Sequence, residues 1–256
     1  MNESTDAKQN SLNVSFNDIN SQIDRASTIL EELKQSANND LLQQEISDKT
    51  KNLTQEVLVK MRSVFDQTMN SFYDNFIEPN LEVNEKRPNV YFPIINNSND
   101  LKSLLGRYQM KDLADTYPEI FNFIDSVQPY NSQYEWMKFF VEYSNDKHIR
   151  LPPQKRKEDK ILTLEHGGAS MSLGNGCSIS LPPGSSISMG DKTIYGDQRI
   201  EPDSNFIRAE SGINIKKEKW IAFTLADSNV NSLGLCENVV HEGYNIINRF
   251  FQLIRK

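Results

Sequence analysis

Two cysteines, Cys177 and Cys236, and three histidines are the whole thiol and imidazole complement of 256 residues. Two thiols make no disulfide framework, so free cysteines in a reducing compartment are expected, and a cytoplasmic protein is the simplest assignment. Triplets such as Asn52-Leu53-Thr54 then carry no glycosylation. His166 and His241 stand without Asp, Glu or Cys at ligand spacing, so neither a zinc site nor any other cofactor is expected. There is no G-x-S-x-G. Gly174-Asn175-Gly176-Cys177 is followed by neither Lys-Ser/Thr nor a helical pattern, and it reads as a hairpin turn rather than a phosphate loop. No apolar run reaches the length of a bilayer crossing. The opening MNESTDAKQNS has no basic region leading into an apolar one, so a cleaved signal peptide is not expected. Basic charge is also short: a net charge of -7 and a pI of about 5.1 argue against a globally basic nucleic-acid binder and leave room only for a local patch. No internal repeat is visible.

What is present suits a polar-surfaced globular chain of one large domain or two small ones, 37% hydrophobic and 25% charged. Residues 1–14 are polar and are expected to be disordered. From Phe16 the apolar positions Ile19, Ile23, Ala26, Leu30 and Leu33 alternate spacings of three and four, which draws one apolar seam along a helix. Asn38-Asn39-Asp40 reads as a break, with Asp40 capping a second helix. That helix carries Leu42, Ile46, Leu53, Val57, Met61, Val64, Thr68, Phe72 and Phe76 and stops at Pro79. The two form an antiparallel helical hairpin. Extended Arg87-Pro88 and Phe92-Pro93 follow, then short helices near 100–114 and from Pro118 to Val127, ended by Gln128-Pro129-Tyr130.

Residues 131–145 predict another helix, closed by the polar cluster Asn145-Asp146-Lys147-His148-Ile149-Arg150 and stopped by Pro152 and Pro153. Residues 152–160 read as a basic linker. Beyond it, Gly167-Gly168, Gly174-Asn175-Gly176 and Pro182-Pro183-Gly184 punctuate short alternating segments, the sign of an antiparallel meander or small sandwich. A last helix from Val239 to Leu253 needs an apolar partner, and the first-half bundle supplies one. The fold class is therefore α+β: disordered 1–14, a helical bundle over 15–152, an inserted antiparallel β-rich segment over 153–235, and a closing C-terminal helix, 236–256, that returns to the bundle.

Two stretches carry a family resemblance. Met61-Arg62-Ser63-Val64-Phe65-Asp66-Gln67 comes first. Phe92-Pro93-Ile94 and Gln128-Pro129-Tyr130 intervene before Asn145 to Leu151. Their order resembles a set of uncharacterised bacterial proteins with an L-R-S-A-L-D-H helix, a Q-P-Y turn and an N-x-D-K-H-R helix end, which in turn looks like the HEPN group of helical bundles. Many HEPN domains are metal-independent endoribonucleases of toxin or phage-defence systems, and they often dimerise. The resemblance implies RNA as substrate, with Arg62, Asp66, Asn145, Lys147 and His148 as the catalytic set. His148 would be the acid/base, Arg62 and Lys147 would hold the scissile phosphate, and Asp66 or Asn145 would orient them. Arg150, Lys155, Arg156 and Lys157 would contact the nucleic-acid backbone. The pattern departs at Gln67, where the family has histidine, and an amide is no general base near neutral pH.

Each signal also has a plain structural reading. Arg62 and Asp66, four apart, make an intrahelical ion pair. Cations at 147–150 complement a helix C-terminus. The run to Lys160 makes a solvated linker, with no aromatics interleaved for base stacking. The alternative function is a non-enzymatic protein–protein interaction module of a multi-component system, using the N-terminal helices as its contact to a partner or a second copy.

Overall fold

A computed structural model describes residues 2–81, 86–145, 154–204, 206–225 and 230–255. The chain is α+β: long N-terminal helices, an antiparallel strand-rich segment, and a C-terminal helix. It divides into two compact units, Met1–Lys155 with Phe223–Lys256, and Arg156–Ala222.

The first unit is helical. Helix α1 (Asn2–Gln43) and α2 (Asp48–Phe72) form the hairpin, and paired contacts at both ends fix its antiparallel register: Gln22 with Gln67, and Ser36 with Thr50 at 2.8 Å. The helix does not wait for Phe16. It takes in the stretch expected to be disordered, because Leu12, 2% exposed, extends the apolar seam one turn upstream of Phe16. The break also moves. Asp40 lies in the last turn of α1 rather than acting as a cap, and its carboxylate accepts from the Ser47 amide (2.8 Å) and hydroxyl (2.9 Å). Ser47 is the N-cap, accepting from the Thr50 amide.

A π-turn (Tyr73–Ile77) and a 3-10 turn (Glu78–Asn80) end α2 at Pro79. Residues 86–97, in neither helix nor strand, lead into α3 (Ser98–Arg107), α4 (Leu113–Thr116), α5 (Pro118–Ser126) and α6 (Trp136–Asn145). The closing helix α7 (Ser232–Ile254) starts earlier than its apolar pattern suggested, because Asn231 caps it on the Gly234 amide. It packs on α1, α2 and α6. Gly243 is small where α7 crosses α2: a Cβ there would stand 2.9 Å from the Met61 methyl and 3.2 Å from the Phe65 ring. Phe65, Phe72, Phe92, Phe140 and Phe250 interlock through tilted and edge-on ring contacts at the centre of this core.

The second unit is a set of antiparallel strands. β1 (Gln154–His166) lies between β2 (Ala169–Leu173) and β7 (Asn214–Leu225). β3 (Ile179–Leu181) pairs with β6 (Gln198–Ile200), and β4 (Ser186–Met189) with β5 (Lys192–Tyr195). The β1–β2 turn takes positive φ at both Gly167 (56°) and Gly168 (80°), the geometry a tight two-residue hairpin requires. Residues 154–160, expected as linker, belong to β1. Leu162, Leu164, Leu173, Leu181, Met189, Ile194, Ile200 and Ile207 make a core separate from the helical one.

Candidate functional site

The periodicity that buries Met61, Val64, Phe65 and Phe72 leaves a second stripe on α2, at Arg62, Asp66 and Asn70, one turn apart. Asp74 continues it into the π-turn. Against this stripe runs the extended segment around Phe92, and the two are joined by main-chain bonds. The Arg62 Nη2 stands 3.1 Å from an Asp66 carboxylate oxygen. That oxygen accepts the Phe92 amide at 3.0 Å, while Arg62 Nη2 reaches the Phe92 carbonyl at 3.5 Å. Asn70 Nδ2 donates to the Val90 carbonyl at 2.9 Å, and its amide oxygen accepts from Arg87, which also pairs with Asp74 at 2.5 Å. Burial pushes the Asp74 carboxyl above its ordinary range, and the Arg87 charge partly offsets this.

Gln128 holds the same segment from the other side. It is fully buried. Its amide nitrogen donates to the carbonyls of Pro93 (2.9 Å) and Ile124 (2.8 Å), and its oxygen accepts the Ile95 amide at 3.0 Å. Beside it, Tyr130 donates to Asp125 at 2.5 Å, and burial together with that carboxylate raises the phenol's pKa. Among the described residues this segment belongs to no sheet, so its main-chain groups need other partners, and side chains from α2 and the α5–α6 turn provide them.

Three motifs read separately in the sequence are thus one device: Arg62 with Asp66, Phe92-Pro93-Ile94, and Gln128-Pro129-Tyr130. Sequence reasoning missed Asn70, and it read Gln128 only as part of a helix stop and of the Q-P-Y turn. The available signals were the continued i, i+4 spacing for Asn70 and an amide placed between Val127 and Pro129 for Gln128.

The pair is largely shielded, with side chains 13% and 19% exposed. Arg62 keeps one buried donor, Nη1, with no acceptor among the described residues. Tyr108 stands in the field of both groups and hydrogen-bonds the Tyr91 main chain, and burial raises its pKa. Gln67 turns toward α1, bonded to Ser63 (3.0 Å) and Gln22, so no base occupies the position after Asp66.

Asn145 is the last residue of α6 and is exposed. Lys147, His148 and Arg150 lie outside the described residues. Lys155 falls in β1. Arg156 pairs with Glu158 at 2.7 Å, Lys157 with Asp159 at 3.6 Å, and Lys160 with Glu158 and Asp203. Arg156, Lys157 and Lys160 are therefore each matched by a carboxylate.

His166, isolated in sequence, is not so in space. Its Nε2 lies 2.6 Å from Asp191 and its Nδ1 3.0 Å from the Gly212 carbonyl. Both nitrogens are engaged in tying turns together, and neither is left for a substrate. The His166 contact holds the Asp191 carboxyl below its ordinary range. Asn175 completes the strand edge of β1, accepting the Lys160 amide (2.9 Å) and donating to the Glu158 carbonyl (2.6 Å). Among the described residues no three His, Cys, Asp or Glu side chains converge as a metal site, and no helix is long and apolar enough to cross a membrane. The chain matches no protein-family model, and no curated protein or solved structure shows significant similarity to it.

Proposed function

We propose that this chain is a non-enzymatic protein–protein interaction module of a multi-component system, with the helical unit as its frame. The observation that carries this reading is the engagement of Arg62 and Asp66 with the Phe92 main chain. A phosphate at Arg62 would compete with a carboxylate at 3.1 Å and would enter a site of mostly buried groups. The pairing of Arg156, Lys157 and Lys160 with carboxylates supports the same reading.

One observation favours the other reading, a HEPN-like endoribonuclease of defence or toxin type. The buried Nη1 of Arg62 is a donor without an acceptor among the described residues, and an anion would satisfy it. In that version His148 is the acid/base. Incubating the purified chain with mixed single-stranded and structured RNAs, beside a folded His148→Ala variant, separates the two. The module reading expects no cleavage by either. Cleavage by wild type that the variant loses assigns the chain to the nucleases.

A further inference from the structure

We infer that the groove between α1 and α7 docks a basic helical segment of a partner protein, an inference that rests on the interaction-module reading. The groove encloses about 610 Å3. Its floor is Ile23, Leu30 and Val240, all nearly fully buried already, so occupancy hides little new apolar surface. Recognition therefore belongs to the walls. Asp24 and Glu31 stand on the α1 side, and His241 and Tyr244 on the α7 side, with Tyr244 43% exposed.

The charge of the molecule is arranged to match. Residues 156–222 contain nine Lys/Arg and nine Asp/Glu, so the net charge of -7 resides wholly in the helical unit. Helix α1 alone carries seven acidic and three basic residues. Among the described residues that line the groove there is no Lys or Arg. Asp24 has no ion-pair partner among the described residues, whereas Arg25, its neighbour, turns away to Glu32 and Glu56. Glu31 is shared with Lys34, which also reaches Glu237; the Glu31 hydrogen bond, chiefly, raises the pKa of that lysine.

Asp24 and Glu31 are seven residues apart, two turns, or about 10 Å along the helix axis. A partner helix with Arg at positions seven apart presents two guanidinium groups at that spacing. The face of Tyr244 adds a cation–π contact. A second copy of this chain would bring its own acidic α1 and be repelled, and a nucleic acid would be repelled for the same reason.

The test uses the full chain and a labelled, alanine-rich helical peptide with two Arg seven apart, followed by fluorescence anisotropy. A control peptide of the same composition places the two Arg on opposite faces. Wild type binds the first peptide, more weakly as salt rises, and the control at least fivefold less tightly. Asp24→Asn/Glu31→Gln, at exposed positions, weakens binding by roughly tenfold, the effect of two surface ion pairs. Lys34→Met tightens it by releasing Glu31 from its competitor. Equal binding of the two peptides, no effect of Asp24→Asn/Glu31→Gln, or looser binding by Lys34→Met overturns the inference. So does concentration-dependent dimerisation in sedimentation that the double variant abolishes, because the occupant is then a second copy. RNA cleavage by wild type sinks the non-enzymatic reading through a different readout and leaves the peptide result to stand or fall alone.

Discussion

Replacing Asp66 by alanine removes the acceptor of the Phe92 amide and strips a mostly buried guanidinium of its counter-charge. A hydrogen bond to a charged group contributes about 1.5–3 kcal/mol. Breaking a buried pair from one side costs about 3–5 kcal/mol when the remaining charge is fully enclosed. The two figures overlap rather than add, and Arg62 keeps some access to water at 13% exposure, so we expect a loss of about 3 kcal/mol. Arg62→Met leaves Asp66 still bonded to the Phe92 amide and costs less, about 2 kcal/mol.

The double variant is the sharper measurement. With both charges gone no lone buried ion remains. Arg62→Met/Asp66→Ala then costs about 3 kcal/mol instead of the additive 5, a coupling of about 2 kcal/mol. A chain of two units need not unfold in one step. The transition of the helical unit is therefore followed by far-UV circular dichroism, and the latch itself by hydrogen exchange at the Phe92 amide. Additive single-variant effects, or a Phe92 amide equally protected in Asp66→Ala, would refute the reasoning.

Four other outcomes follow from the same structure. Gln128→Leu leaves the Ile95 amide and the Pro93 carbonyl without their partner and destabilises the helical unit by about 3 kcal/mol in urea unfolding. Gly196→Ala destabilises the β-rich unit by more than about 3 kcal/mol, read from strand amide exchange. Its Cβ would stand 2.3 Å from the Pro182 carbonyl and 2.5 Å from that of Ser185, main-chain atoms that cannot swing aside. Asp191 has a folded pKa below its unfolded value, so its contribution is present above the unfolded pKa and is lost as pH falls through the folded one; Asp191→Asn therefore flattens the decline of β-unit stability below about pH 4. In native protein one thiol, the exposed Cys177, reacts with a colorimetric disulfide reagent. Cys236, fully buried and with its thiol pKa raised by burial, joins only in denaturant.

The α+β architecture was legible because it rests on apolar period. The seam from Phe16 to Leu33, the stop at Pro79 and the glycine-marked turns after 167 each have a local cause. What escaped has causes that are not local. Residues 154–160 alternate no apolar residues, and their strand depends on β7 and on Asn175, 15 positions from Lys160. Ser47 rather than Asp40 caps α2 because α1 continues through the asparagines to Gln43 and ends only at Gln44, φ 58°. The Arg62 and Asp66 pair was visible as a spacing, but its use was not, because the Phe92 amide that it serves lies 26 residues away from Asp66. Gln128 offered no charge to mark it, and its three bonds appear only when two distant segments meet. His166 looked solitary because Asp191 lies 25 residues on.

The most direct trial of a structural role for Arg62 compares RNA cleavage by wild type and Arg62→Met, under conditions where circular dichroism shows both fully folded. The account predicts that neither cleaves, and that the helical unit of the variant is less stable by about 2 kcal/mol in urea unfolding. Cleavage by wild type that Arg62→Met abolishes, with the stability of the helical unit unchanged, would contradict it.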